Sequence, residues 1–179
     1  MNRSPGKVAH VVNRFFRAYM QDRDGTRLND DVEDILHQAP LDADVLCLGG
    51  WAFVWLGQPS RAIDCFQKFE QIGPFNALTI AVHAGRAMAF VQAGHDADAI
   101  ESAQRILRQT RDFAVPFRAL ASAAAHQGDL AEARFAVTEA LRLVPGDTLP
   151  ALQDRLGFAD TEPNLRFFQG LRLGGFPDD

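Results

Sequence analysis

Apolar residues along the chain recur at steps of three and four, the spacing that puts them on one face of an α-helix. Residues 7–21 open the series. Val8, Val11, Val12, Phe15, Phe16 and Tyr19 form a broad stripe there, with Arg14 and Arg17 on the other face. Asp22-Arg23-Asp24-Gly25 breaks this helix. Asn29 is placed to cap the next, with Asp30, Asp31 and Glu33 in a first turn where carboxylates favour the helix dipole, and that helix ends before Pro40. Asp42 or Asp44 caps a third helix running to Leu56, Gly57-Gln58-Pro59 turns the chain, and residues 60–71 form its partner. A helix over residues 76–93, a turn at Gly94-His95-Asp96 and a helix from Asp96 to about Gln109 follow. Residues 114–147 then read as two helices hinged at Gln127-Gly128-Asp129, the first striped by Phe117, Leu120, Ala121 and Ala124, the second by Leu130, Ala133, Val137, Ala140 and Leu141. Asp147 or Thr148 starts a short helix to Leu156. Thr161-Glu162-Pro163 starts a last one to about Leu173, with Leu165, Phe168 and Leu171 as its apolar face and Arg166 and Arg172 pointing outward.

The punctuation repeats. Gly94 and Gly128 lie 34 residues apart, and so do Pro40 and Pro74. A period near 34 with two helices per unit resembles the tetratricopeptide repeat. In residues 43–76 the pattern places Leu46 at repeat position 4, Gly50 at 8, Phe53 at 11, Ala62 at 20, Phe66 at 24 and Pro74 at 32, with Phe69 where a small residue is usual at 27. Residues 77–113 keep Ala87, Phe90, Gly94, Ala99 and Ile106 but lack the closing proline. Residues 114–147 keep Phe117, Ala121, Gly128, Ala133, Val137, Ala140 and Pro145. A worn unit over residues 9–42 keeps Tyr19, Val32, Ile35 and Pro40. The resemblance implies one all-α domain over residues 1–179: an α-solenoid of about four helix pairs wound as a right-handed superhelix. A terminal unit of such an array must cover the last open apolar face, and the two helices of residues 148–175 are expected to be that C-terminal cap.

Composition narrows the function. A net charge of −5, spread along the chain, leaves no basic patch for nucleic acid. No apolar run approaches the ~20 residues of a membrane span. The first ten residues, MNRSPGKVAH, lack the apolar core of a signal peptide, and the two cysteines, Cys47 and Cys65, read as reduced thiols. The expectation is a cytoplasmic protein. Asp22-Arg23-Asp24-Gly25 resembles half a calcium loop, but Met20 stands where an oxygen ligand belongs and Asp31 where the bidentate Glu would. None of the five histidines (His10, His37, His83, His95, His126) pairs with another at the helical i, i+4 spacing of a zinc site. No nucleophile motif, phosphate loop or paired carboxylate stands out, so neither a catalytic residue, a metal nor a cofactor is expected.

An interaction surface is the better candidate. In tetratricopeptide arrays the first helices of successive units line a concave groove, and by resemblance repeat positions 2, 5, 9, 12 and 13 point into it. Those positions carry Asp44, Cys47, Trp51, Val54 and Trp55; then Ala81, Ala84, Met88, Val91 and Gln92; then Val115, Arg118, Ser122, Ala125 and His126; the worn unit offers His10, Asn13 and Arg17. The partner-binding set is therefore Arg17, Asp44, Trp51, Trp55, Met88, Gln92, Arg118, Ser122 and His126, with a protein or peptide as the partner. Trp and Arg dominate interface energetics. Trp51 and Trp55 could instead pack on the Phe-rich helices of the first unit. The basic clamp with which some family members hold an acidic C-terminal peptide needs more cations than Arg17 and Arg118, so an apolar segment is the expected ligand.

The segment VPGDTLPALQDRLGF followed by NLRFFQGLRLGGFP is similar to the C-terminal repeat region of bacterial class III adenylate cyclase-like signalling proteins and of winged-helix regulators. Their closing Leu-Arg-Lys-Ala-Gly-Leu-Pro-like segment reads Leu171-Arg172-Leu173-Gly174-Gly175-Phe176-Pro177 here. Neither a cyclase nor a winged-helix domain lies in these 179 residues. Besides a free-standing adaptor, the resemblance thus implies an accessory domain that positions a parent domain. A third reading is a homodimer through Val11, Phe15 and Phe16.

Overall fold

The structure is a computed structural model that describes residues 23–73, 78–158 and 160–179. Among the described residues there are nine helices and no strand: α1 (Gly25–Gln38), α2 (Ala43–Trp55), α3 (Pro59–Ile72), α4 (Thr79–Ala93), α5 (Asp96–Leu107), α6 (Ala114–His126), α7 (Leu130–Leu143), α8 (Leu149–Leu156) and α9 (Glu162–Leu173). The helix expected over residues 7–21, with Arg17, Tyr19 and the dimer face of Val11, Phe15 and Phe16, lies outside the described residues, as does Pro74.

Three hairpins, α2/α3, α4/α5 and α6/α7, stack in file. The first helix of each packs on the first helix of the next, and α3 and α5 each also pack against the hairpin that follows. Large and small residues at the repeat positions account for this. Leu46, Phe53, Phe66, Phe69 and Phe117 are fully buried, and Ala62, Ala87, Ala99, Ala121, Ala133 and Ala140 let helix backbones approach. At Gly50 the approach leaves no room for a side chain: a Cβ there would sit 2.3 Å from the Phe66 ring. Gly57, Gly94 and Gly128 all turn their hairpins with φ between 66° and 83°, the left-handed region that side-chain-bearing residues avoid.

Helix starts differ from the sequence reading where two acidic or polar candidates compete. Asp24, not Asn29, caps α1, its carboxylate accepting Arg27 N–H at 3.0 Å. Asn29 falls inside the helix and, with Glu33, engages Arg61 of α3 at 2.9 Å each. Bonds from Asn29 and Arg61 hold the Glu33 carboxyl below the usual range. Asp42 caps α2, accepting from Asp44 and Val45. His95 occupies the cap position of α5 and Asp96 its first turn. Thr148 caps α8, because Asp147 is spent elsewhere, in a buried ion pair.

The C-terminal helices do cover an open apolar face, and that face is the concave one. From α7 the chain turns inward, and α9 lies across α6 and α4, with few contacts to α7. The loop before α9 reaches the first described unit: Phe158 sits against Gly25 and Thr161 against Gly57. Asn164, Phe167, Phe168, Gly170 and Leu171 are its buried face, whereas Leu165 is 50% exposed and Arg166 turns inward. Phe168 and Leu171 are thus buried as expected, whereas Leu165 faces out and Arg166, expected outward, faces in.

Candidate functional site: a concave face divided by its own last helix

Helix α9 is seated by polar contacts from the inner helices. Ser122 Oγ donates to the Phe167 carbonyl at 2.9 Å, and His126 Nε2 to the Arg166 carbonyl at 2.9 Å. Because a carbonyl only accepts, the Nε2 tautomer of His126 is required. Gln92 Nε2 donates to Val54 O (2.8 Å) and to Asn164 Oδ1 (2.5 Å), while Asn164 Nδ2 donates to Trp55 O and Phe158 O. Arg166 forks onto Asp96 at 3.0 and 2.7 Å and donates to Val91 O. Asn164 therefore supplies a donor to the Trp55 carbonyl at the end of α2, where a helix leaves its last carbonyls without intrahelical partners, and Arg166 adds a second donor to the Val91 carbonyl, which already accepts Gly94 N–H. Gly170 permits the close fit: a Cβ there would stand 2.1 Å from Ser122 Oγ and 2.6 Å from the Ser122 carbonyl.

Beside α9 an apolar cleft of about 520 Å³ remains open. One wall is the inner layer: Cys47, Leu48, Trp51 and Trp55 of α2, Ala81 and Met88 of α4, Val115 and Arg118 of α6. The opposite wall is Leu152 and Leu156 of α8 with Phe167 of α9. Asp44, Leu78 and Phe113 complete the lining. Trp51 and Trp55 stand with ring centroids 5.9 Å apart, and Trp51 Nε1 donates to the Ala81 carbonyl at 3.1 Å. Both are half-buried.

Arg118 is the one basic residue of the lining. It is 9% exposed and pairs with Asp147 at 2.5 Å; Asp147 also takes Arg155 of α8. Burial lowers the pKa of Arg118 against the attraction of Asp147. Its Nε–H, buried, has no hydrogen-bond partner. Cys47 and Cys65 are free thiols, both pushed up to about 11 by burial, which makes them poor nucleophiles.

Of the nine residues expected at the groove, five line the cleft: Asp44, Trp51, Trp55, Met88 and Arg118. Gln92, Ser122 and His126 face the same way but are engaged by α9, and Arg17 lies outside the described residues. The repeat register could not supply Leu152, Leu156 and Phe167, which belong to no repeat. Asn164 and Arg166 were also missed. The available signal was their position on an amphipathic helix following the last repeat.

Fold and inner face together define a tetratricopeptide-like α-solenoid whose concave surface is part occupied, part open. Solved structures carry the same fold. PilW, described as a widely conserved type IV pilus biogenesis factor, superposes with a TM-score of 0.69 at 17% identity over 92% of this chain and 76% of that one. Two structures of MamA give TM-scores of 0.58 and 0.61 at 15% and 16% identity, over 97% and 93% of this chain and 94% and 88% of theirs. No family model matches the sequence, and no curated protein sequence matches it. Among the described residues no helix is long and apolar enough to cross a membrane.

Proposed function

We propose that the chain is a non-catalytic protein-interaction module, regulatory or scaffolding, that holds an apolar segment of a partner against its concave face. The observation behind this reading is the open cleft carrying Trp51 and Trp55 side by side on a stacked-hairpin scaffold. Half-buried indoles with apolar neighbours are the groups that gain most when a partner excludes the remaining water. The other expected groove residues, Gln92, Ser122 and His126, act in this reading by fixing α9 and so shaping the cleft.

The test replaces Leu48 and Val115, both half-buried on the cleft wall, together by Asp. Capture of partners, identified by comparison with the unaltered chain, is expected to be lost while helicity and melting temperature persist. Undiminished capture by the folded variant rejects the groove.

A second reading rests on the closing segment similar to cyclase-like signalling proteins. Phe176 of that segment is buried and the Pro177 carbonyl accepts Leu149 N–H at 2.8 Å, so the tail is part of the folded unit and ends beside α8. In this reading the module positions a parent domain, and a longer reading frame carrying such a domain is the observation that decides it.

A further inference from the structure

Arg23 has a left-handed backbone, with φ 47°, and among the described residues it is the one residue other than glycine that does. An L side chain adopts that region at a cost. Arg23 stands two residues before the start of α1. Gly57, Gly94 and Gly128, the left-handed hinges of the three hairpins, stand two residues before α3, α5 and α7. Arg23 is also 34 residues ahead of Gly57. By position and by conformation it is the hinge of one more hairpin, whose second helix is α1.

The stretch ahead of Arg23 lies outside the described residues, and the same step of 34 assigns its positions from the sequence. Val11, Val12 and Tyr19 fall on Val45, Leu46 and Phe53, all buried in α2. His10, Asn13, Arg14 and Arg17 fall on Asp44, Cys47, Leu48 and Trp51, all of which line the cleft. Apolar residues thus meet core positions, and polar ones meet cleft positions. The described lining holds two charged residues, Asp44 and Arg118, and Arg118 is spent on Asp147. The four polar residues assigned to the cleft include two permanent cations and no carboxylate.

We propose that residues 7–21 form a basic edge to the cleft beside α2, and that the partner is an apolar segment with side-chain carboxylates next to its apolar anchor. Trp51, Met88 and Phe167 hold the anchor; Arg14 and Arg17 hold the carboxylates. The proposal rests on the interaction reading above and names the partner's charge. Adjacent helices pack about 8–10 Å apart, so the edge is within reach of acidic residues adjoining an anchor in the cleft. The overall charge works against such a partner. Arg3, Lys7, Arg14 and Arg17 against Asp22 give residues 1–22 a net +3, and the chain's −5 leaves −8 on residues 23–179. Attraction for an acidic segment is therefore local, and it identifies the edge that supplies it.

Three dye-labelled peptides, blocked at both ends so that no terminal carboxylate is present, share the anchor Leu-Phe-Leu-Phe. They carry a pair of Glu, of Gln or of Lys on each side. Each is titrated with the full chain and followed by anisotropy. At about 20 mM salt the Glu peptide is expected to bind about fivefold more tightly than the Gln peptide, with the Lys peptide weakest. At about 0.5 M salt the preference should fall below about twofold. In Arg14→Gln/Arg17→Gln the Glu peptide should drop to the affinity of the Gln peptide, which itself stays unchanged, as do helicity and melting temperature. Arg14→Lys/Arg17→Lys should retain the preference. The Leu48/Val115 double Asp variant should lose all three peptides. No preference for Glu in the unaltered chain overturns the proposal, and so does a preference that survives in the double Gln variant. Failure of all three peptides to bind the unaltered chain overturns it as well. In each of these cases, partner capture lost in the Leu48/Val115 variant leaves the groove standing. Equal binding of the peptides by that variant and by the unaltered chain rejects the groove itself, and the anchor with it.

Discussion

His83 is the buried ionisable side chain that most clearly sets a pH dependence. It is 5% exposed on α4. Glu70 of α3 faces it, with Nδ1 at 3.1 Å but outside hydrogen-bonding geometry, and that carboxylate is already held by Arg86 at 2.5 Å. Burial lowers the His83 pKa. Glu70 opposes this, while Arg86 of its own helix and Arg105 of α5 reinforce it. The sign follows. Above about pH 6.5, the ordinary value, the ring is neutral in both folded and unfolded chains. Below it the unfolded chain takes up a proton that the folded chain refuses, so stability falls with pH until the lowered folded pKa is passed. Urea midpoints at pH 7.5 and 5.5 should diverge less in His83→Asn than in the unaltered chain. An identical pH slope in the two would show that His83 is not the titrating group. Residues of this kind were legible in the sequence only as names. Their burial comes from how three helices meet.

At the scale of elements, α9 is where sequence and structure parted. Its boundaries follow from Thr161-Glu162-Pro163 and from the apolar spacing, and both ends fall where the pattern put them. Its buried face followed only in part: Phe168 and Leu171 are buried as the pattern put them, but Leu165 is not, because Phe167 and Phe168 adjoin and a stripe through Asn164 fits as well as one through Leu165. Contact with the inner helices chose the stripe through Asn164: Gly170 must lie on Ser122, and Asn164 must reach Gln92 and the Trp55 carbonyl. Arg166→Ala is expected to destabilise the chain by roughly 2 kcal/mol, the worth of a charge-assisted pair removed from a mostly buried position. Hydrogen exchange should then speed up in α9 first, ahead of α2, α4 and α6. Uniform acceleration across the chain would argue that Arg166 does not hold this helix in place.

For the molecule as a whole, a stacked-hairpin array is nearly one-dimensional, each unit touching only its neighbours, and such arrays can open unit by unit. Here the chain's last segment touches α6, α4, the end of α2 and the start of α1. Contacts between residues as far apart as Trp55 and Asn164 tie the file into a loop. Equilibrium unfolding followed by tryptophan emission, which reports on α2, and by far-ultraviolet circular dichroism, which reports on all helices, should therefore coincide. In a chain carrying Asn164→Ala and Arg166→Ala the two transitions should separate. Separate transitions in the unaltered chain would mean that the clasp adds no cooperativity.

The division between what sequence and tertiary structure decide follows from range. The helices, the glycine hinges, the 34-residue period and the inner-facing positions are set by contacts within one hairpin or between adjacent ones, and a local pattern records those. The period therefore placed Asp44, Trp51, Trp55, Met88, Gln92, Arg118, Ser122 and His126 on one surface. Which of them stay open was decided by α8 and α9, whose seat depends on matching a glycine to a serine 48 positions earlier and an asparagine to a glutamine 72 positions earlier. Such matches have no period and leave no mark in composition, so only the folded chain could show that the concave face is shared between its own last helix and an open apolar cleft.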